Sequence, residues 1–164
     1  MVIKSNLKHW LFLIFLVTLT SCDQNRVFDE YHELDGSWSK TDSIHFEFEQ
    51  NDTINPYNLF LNIRNNNEYP FNNLFVIVSL KNPSNEVKID TLEYQMANPD
   101  GTLMGNGFTD VKESKLWYQE NFVFKKAGKY EVDIMHALRE SGEIGGLERV
   151  DGVTEVGFRI EKIK

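Results

Sequence analysis

Tyr130-Glu131-Val132-Asp133-Ile134-Met135-His136-Ala137-Leu138 is the stretch that decides the fold. Tyr130, Val132, Ile134, His136 and Leu138 share one parity, while Glu131 and Asp133 fall on the other. Side chains of an extended chain alternate between faces, so this spacing predicts a strand with one face on a core and one in water.

The same period recurs outward from it. Ile44, Phe46 and Phe48 alternate with His45, Glu47 and Glu49. Leu59, Leu61 and Ile63 do so between Asn55-Pro56 and Asn65-Asn66-Asn67, and Val156, Phe158 and Ile160 form the last such run. Residues 74–81 begin with apolar side chains on both faces, as a central strand does. Between Ile89 and Leu92 the apolar phase changes parity, which predicts a β-bulge or a bend. Asn82-Pro83-Ser84-Asn85 and Asn98-Pro99-Asp100-Gly101 are turn signals. Residues 110–118 fit either a helical turn or a strand, and residues 139–152, with four glycines, read as a long loop. Short strands without a long helix predict an all-β fold: an antiparallel β-sandwich of about seven or eight strands, jelly-roll or immunoglobulin-like in order.

The N-terminus has another character. Lys4 and Lys8 precede an apolar run over residues 10–17 and then Leu19-Thr20-Ser21-Cys22. Basic, apolar and small residues in that order make a secretory signal, and the cysteine after them makes it similar to a bacterial lipoprotein signal. The apolar run is shorter than the ~20 residues a spanning helix needs. The expected organisation is a signal peptide over residues 1–21, a lipidated polar tether over 22–33 and one sandwich domain over 34–164. Cys22 would carry a diacylglycerol on sulfur and palmitate on the new N-terminus.

Of 17 basic residues two lie in residues 1–21, and none of the 25 acidic residues does, leaving 15 against 25 and a net charge of −10. That balance argues against nucleic acid, whose phosphates demand a basic footprint. It also argues against an electrostatic grip on anionic lipid, so attachment rests on acyl chains, two or more of which anchor stably. With Cys22 the only cysteine, no internal disulfide can form.

Groups suited to catalysis are scarce. His32, His45 and His136 stand outside any metal-binding spacing; His45 is on the solvent parity and His136 on the inward one, where a buried, hydrogen-bonded imidazole is expected. Ser37-Trp38-Ser39-Lys40 has the S-x-x-K spacing of penicillin-binding enzymes but precedes a strand rather than opening a helix. Asp100 and Asp110 flank a Gly-rich loop whose spacing fits no EF-hand. The expectation is therefore no catalytic residue, no metal, no cofactor and no small-molecule substrate. Tyr57, Tyr69, Phe71, Trp117 and Tyr118 lie near turns or in the ambiguous segment, so they are candidate partner-binding residues. The favoured reading for most of them is that they plug the ends of the core.

Several blocks carry a family resemblance. They are Arg26-Val27-Phe28-Asp29-Glu30-Tyr31, the run from Asn55-Pro56-Tyr57 through Arg64-Asn65-Asn66, Asp90-Thr91-Leu92-Glu93-Tyr94, the run from Gly107-Phe108 through Leu116-Trp117-Tyr118, and Gly157-Phe158-Arg159-Ile160. In this order they resemble the GldH gliding-motility lipoproteins of Bacteroidetes. The resemblance implies a cell-envelope lipoprotein required for gliding, working beside the motility machinery and the type IX secretion apparatus. It brings no catalytic residues, and Cys22 alone takes a role by motif. The resulting expectation is a non-enzymatic accessory or assembly factor with envelope-protein partners. Asp23 after the cysteine is an inner-membrane retention signal in some other bacteria; the anchor is nevertheless expected in the outer membrane. The alternative is a lipid-anchored glycan-binding module, and a weaker one is an envelope hydrolase.

Overall fold

Ten strands form among the described residues, 24–107, 109–139 and 145–163 of the computed structural model. They are β1 (Arg26–Glu33), β2 (Ser37–Ser39), β3 (Ile44–Gln50), β4 (Pro56–Asn65), β5 (Asn73–Lys81), β6 (Val87–Gln95), β7 (Lys112–Val123), β8 (Gly128–His136), β9 (Arg149–Asp151) and β10 (Val153–Lys162). Their pairing is nested and antiparallel: β1 with β10, β2 with β9, β3 with β8, β4 with β7 and β5 with β6. The chain is thus one long hairpin whose tip is the turn at residues 82–86. Two further pairings, β10 with β4 and β5 with β8, roll that hairpin into two four-stranded sheets, β1-β10-β4-β7 and β3-β8-β5-β6. The β2–β9 ribbon stands apart from both. Of the two orders open to the sequence, this is the jelly roll.

The alternating residues meet between the sheets. Ile44, Phe46 and Phe48 from β3, Val132 and Ile134 from β8, and Leu59, Leu61 and Ile63 from β4 are all buried. Phe158 on β10 joins the two layers, its ring centroid 6.1 Å from Phe46, 5.9 Å from Phe48 and 6.4 Å from Tyr118. Each such side chain contributes roughly 1.5–3 kcal/mol through burial. At the tip of the hairpin Asn85 takes a left-handed conformation, φ 62°, and the Asn82 side chain accepts the amides of Ser84 and Glu86. Asparagine tolerates that region better than branched residues do.

Four expectations need correcting. The tether ends sooner than residue 33, because Arg26–Glu33 is β1 and the Asn25 carbonyl already accepts the Lys162 amide at 2.8 Å. This strand is mostly polar because it lies at a sheet edge; Phe28 is its main apolar contact, 5.3 Å from Phe48 and 6.2 Å from Phe158. No bulge divides β6, whose register with β5 runs unbroken from Gln95 to Val87. As the outermost strand it turns Asp90, Leu92 and Tyr94 inward and leaves Val87 and Ile89 in solvent, so the apparent phase change is an exposed apolar pair. Of the two readings open for residues 110–118 the strand holds, since most of them belong to β7, but the expected loop over 139–152 contains β9, where Val150 is buried. His136 is inward as expected, 5.6 Å from the Trp38 ring, but neither ring nitrogen has a hydrogen-bond partner. Burial, and then the nearby Lys40 charge, hold its pKa below the ordinary histidine value.

Ile134→Ala on β8 is expected to cost about 2–5 kcal/mol in urea denaturation, whereas Asp133→Ala on the solvent face should stay near ~0.5 kcal/mol. Equal losses would contradict the assignment of faces.

Candidate functional site

The strand registers lay three rows of side chains across the solvent face of the β1-β10-β4-β7 sheet. They are Asp29-Arg159-Phe60-Trp117, Tyr31-Gly157-Asn62-Lys115 and Glu33-Glu155-Arg64-Glu113. Opposite charges meet across neighbouring strands, where cross-strand pairs interact most strongly.

Arg64 is the hub of the third row. Its Nε donates to Glu113 Oε2 at 2.6 Å, and its Nη1 donates to both Glu155 oxygens at 2.9 and 2.7 Å. The guanidinium carbon also lies 4.6 Å from the centre of the Tyr31 ring, within cation–π range. Tyr31 donates its hydroxyl proton to Glu113 Oε1 at 3.2 Å and accepts from Asn62 Nδ2 at 2.8 Å. Burial first, then the charge of Glu113, push the Tyr31 phenol up to about 12. The bonds from Glu155 and Glu113 raise the Arg64 pKa further still.

The first row is built in the same way. Arg159 Nη1 donates to Asp29 Oδ2 at 2.8 Å and Arg159 Nε to Glu161 Oε1 at 2.6 Å. Lys115 Nζ shares that Glu161 oxygen at 2.7 Å and sits 4.0 Å over the Phe60 ring, which packs 4.4 Å from Trp117. The Arg159 and Asp29 side chains are only 15% and 12% exposed, so breaking this pair would strand a charge in a partly desolvated place.

Gly157 makes the middle row possible. A Cβ there would lie 2.8 Å from the Tyr31 ring, so only glycine lets Tyr31 lie across β10 and reach Asn62.

Most of its charged groups are bound to one another: Glu113 and Glu155 to Arg64, Asp29 to Arg159, and Glu161 to Arg159 and Lys115. Away from this face three exposed carboxylates, those of Asp52, Glu47 and Glu86, are held below their usual range, the reverse of what a general acid needs. Hydrogen bonds from Asn55 do this to Asp52, the Lys129 ammonium to Glu47, and the Asn82 amide followed by Lys126 to Glu86. Among the described residues no group of three metal-ligating side chains converges. Asp100 uses its carboxylate to cap Thr102. Ser37 and Lys40 flank a strand whose Trp38 is fully buried. His45 bonds Asp133 and Glu47 in solvent.

The sequence-based candidates do not form one surface. Tyr57, Tyr69 and Tyr118 are core residues, so of the two readings the core-plugging one describes them. Their hydroxyls donate to Asp52, to the Asn73 carbonyl and to Asp90, so each closes a rim of the sandwich. Phe71 is half-buried against Tyr69. Trp117, 52% exposed, is the one of the five on this sheet face. Cys22 lies outside the described residues. Tyr31, Asn62, Arg64, Glu113 and Glu155 were not anticipated as a site. A signal was nonetheless present, since four of the five resemblance blocks fall on or beside the four strands of this one sheet.

Comparison with known proteins agrees in extent. The model of the GldH lipoprotein family matches residues 26–160. The gliding motility lipoprotein GldH of Flavobacterium johnsoniae is 57% identical over 150 residues, 92% of this chain and 93% of that protein. A GldH homologue of Christiangramia forsetii is 46% identical over 159 residues, 97% and 98% of the two chains. Among solved structures, a 4-O-methyl-alpha-glucuronidase shares 14% identity at a TM-score of 0.45, over 88% of this chain and 18% of its own; so shallow a likeness carries no conclusion.

Gly157→Ala should displace Tyr31 and cost about 1–3 kcal/mol. In the same variant the Tyr31 phenol should titrate closer to 10, read by ultraviolet absorbance. Unchanged stability together with an unchanged tyrosine titration would contradict the role of the Tyr31–Gly157 contact.

Proposed function

The chain belongs to the GldH lipoprotein family, and we propose that it serves gliding motility as a non-enzymatic accessory or assembly factor, lipid-anchored through Cys22 in the outer membrane and bound to envelope proteins of the gliding and type IX secretion machinery. The observation that supports a partner-facing role is the pre-ordered ionic and aromatic face of the β1-β10-β4-β7 sheet. Arg64, Arg159, Lys115 and Tyr31 are already fixed by their neighbours, so a partner meets them without having to order them. Trp117 stands exposed beside them, and tryptophan, tyrosine and arginine are the side chains that most often anchor interfaces.

The glycan-binding alternative wants a row of exposed rings on a concave face. Trp117 is the one tryptophan, tyrosine or phenylalanine ring exposed among the described residues, which favours a protein partner. Cleavage after Leu19-Thr20-Ser21 would leave Cys22 as the acylated N-terminus, and two or more acyl chains hold a protein stably on a bilayer.

Two variants test the two halves of this reading. Cys22→Ala should lose fatty-acid labelling and leave the detergent phase; retained partitioning would remove the anchor. Trp117→Ala, at normal abundance and melting temperature, should weaken partner association and reduce colony spreading of a complemented deletion strain, truncation of such an anchor costing about 2 kcal/mol or more of binding. Full spreading by that variant would remove the sheet face from the account.

A further inference from the structure

We propose that the end of the sandwich holding Asn25 and Lys162 is a membrane-contact face, seated on the bilayer that receives the Cys22 lipid. The proposal rests on the anchor at Cys22 and adds a definite seating of the domain upon it. The Asn25 carbonyl is fixed to the Lys162 amide, so only Asp23 and Gln24 separate the lipidated residue from the folded sheet. Three residues span at most about 11 Å when fully extended. The headgroup layer on either side of a bilayer is itself roughly 5–8 Å deep. A domain on so short a leash has its nearest loops at the lipid surface.

Those loops carry what such a surface accepts. The strand ends at Gln50, Pro56, Lys81, Val87, Val123 and Gly128 place the connections 51–55, 82–86 and 124–127 on the same end as Asn25. Eight large apolar side chains are exposed among the described residues, and five of them, Val27, Ile54, Val87, Val123 and Ile163, gather there. Val27 and Ile163 line one hollow with Pro56, while Val87 and Val123 line another with Phe122.

Ile54 is presented most clearly. The Asp52 carboxylate accepts the Ile54 and Asn55 amides at 2.9 and 3.0 Å, the Asn55 side chain at 2.7 Å and the Tyr57 hydroxyl at 2.9 Å. These bonds close the loop and hold Ile54 outward, 83% exposed. A fixed, solvated isoleucine at the foot of a lipid anchor is suited to the headgroup–acyl boundary, where aliphatic side chains add affinity. Lys125, Lys126 and Lys162 stand at the same end with Asp52 and Glu86, so charged groups rim the aliphatic contact. Seated this way, the domain turns the loops 66–72 and 96–107 away from the membrane and sets the ionic face of the β1-β10-β4-β7 sheet alongside it.

The test uses the intact lipidated protein in vesicles of phosphatidylethanolamine and phosphatidylglycerol. Because the sulfur of the only native cysteine carries the lipid, Ile54→Cys can be labelled alone with a nitroxide; Met104→Cys, at the opposite end, is the control. At position 54 the label should be reached well by oxygen and several-fold less by a water-soluble nickel relaxant than at position 104. Equal access of the nickel relaxant at both positions, with the protein still vesicle-bound, would overturn the seating and leave the anchor standing. A protein with unmodified Cys22 that does not float with the vesicles would overturn both.

Discussion

Pairing of β1 with β10 closes the nest of antiparallel partners, and the architecture on both sides of the sheet depends on it. On the inner side it brings Phe28 onto Phe48 and Phe158 and so finishes the core. On the outer side it lays Tyr31 over Gly157 and Asp29 against Arg159. It also ties the residues just after Cys22 to the far end of the chain. Contacts such as Arg26 with Glu161 join residues from opposite ends of the sequence, and such pairings form slowly because the loop must close before they are rewarded. It is the outermost pair of the nest, and it carries one edge of the ionic face.

The ionic face is a poor source of stability and a good source of specificity. Exposed ion pairs contribute about 0–1 kcal/mol each, and the Arg64 pairs are about one-third exposed. What the array does supply is order. Arg64 is held by two carboxylates and a ring, Lys115 by Glu161 and Phe60, and Trp117 by Phe60. A partner with matching charges would find these groups in place, with the aromatic edge at Trp117 able to exclude water. Complementary charge across an interface selects partners more than it adds affinity.

Much of this fold was readable from alternation, and the failures have physical causes. β8, β3 and β4 were evident because each buries one parity and wets the other. β1 reads as a tether because an edge strand needs few apolar residues, and Phe28 alone does not make a period. β6 reads as bulged because Val87 and Ile89 are apolar yet exposed, a pattern that sequence cannot distinguish from a bulge. The rows on the β1-β10-β4-β7 sheet could not be seen because they join residues far apart in the chain, such as Asp29 and Arg159. Turn-proximal tyrosines allow two readings for a related reason: Tyr57, Tyr69 and Tyr118 have apolar bodies that fill the core while their hydroxyls bond at its rim, which gives them surface-like positions in the sequence and buried ones in the fold.

In the proposed reading one end of the domain is held by lipid and one sheet is open to a protein. The most direct measurement places a photo-reactive benzoylphenylalanine at position 117, on the ionic face, or at position 89, on the outer side of the other sheet, in gliding cells. Illumination is expected to give a discrete adduct with an envelope protein from position 117 and none from position 89. Adducts from position 89 with none from position 117 would contradict the assignment of the β1-β10-β4-β7 face as the partner surface.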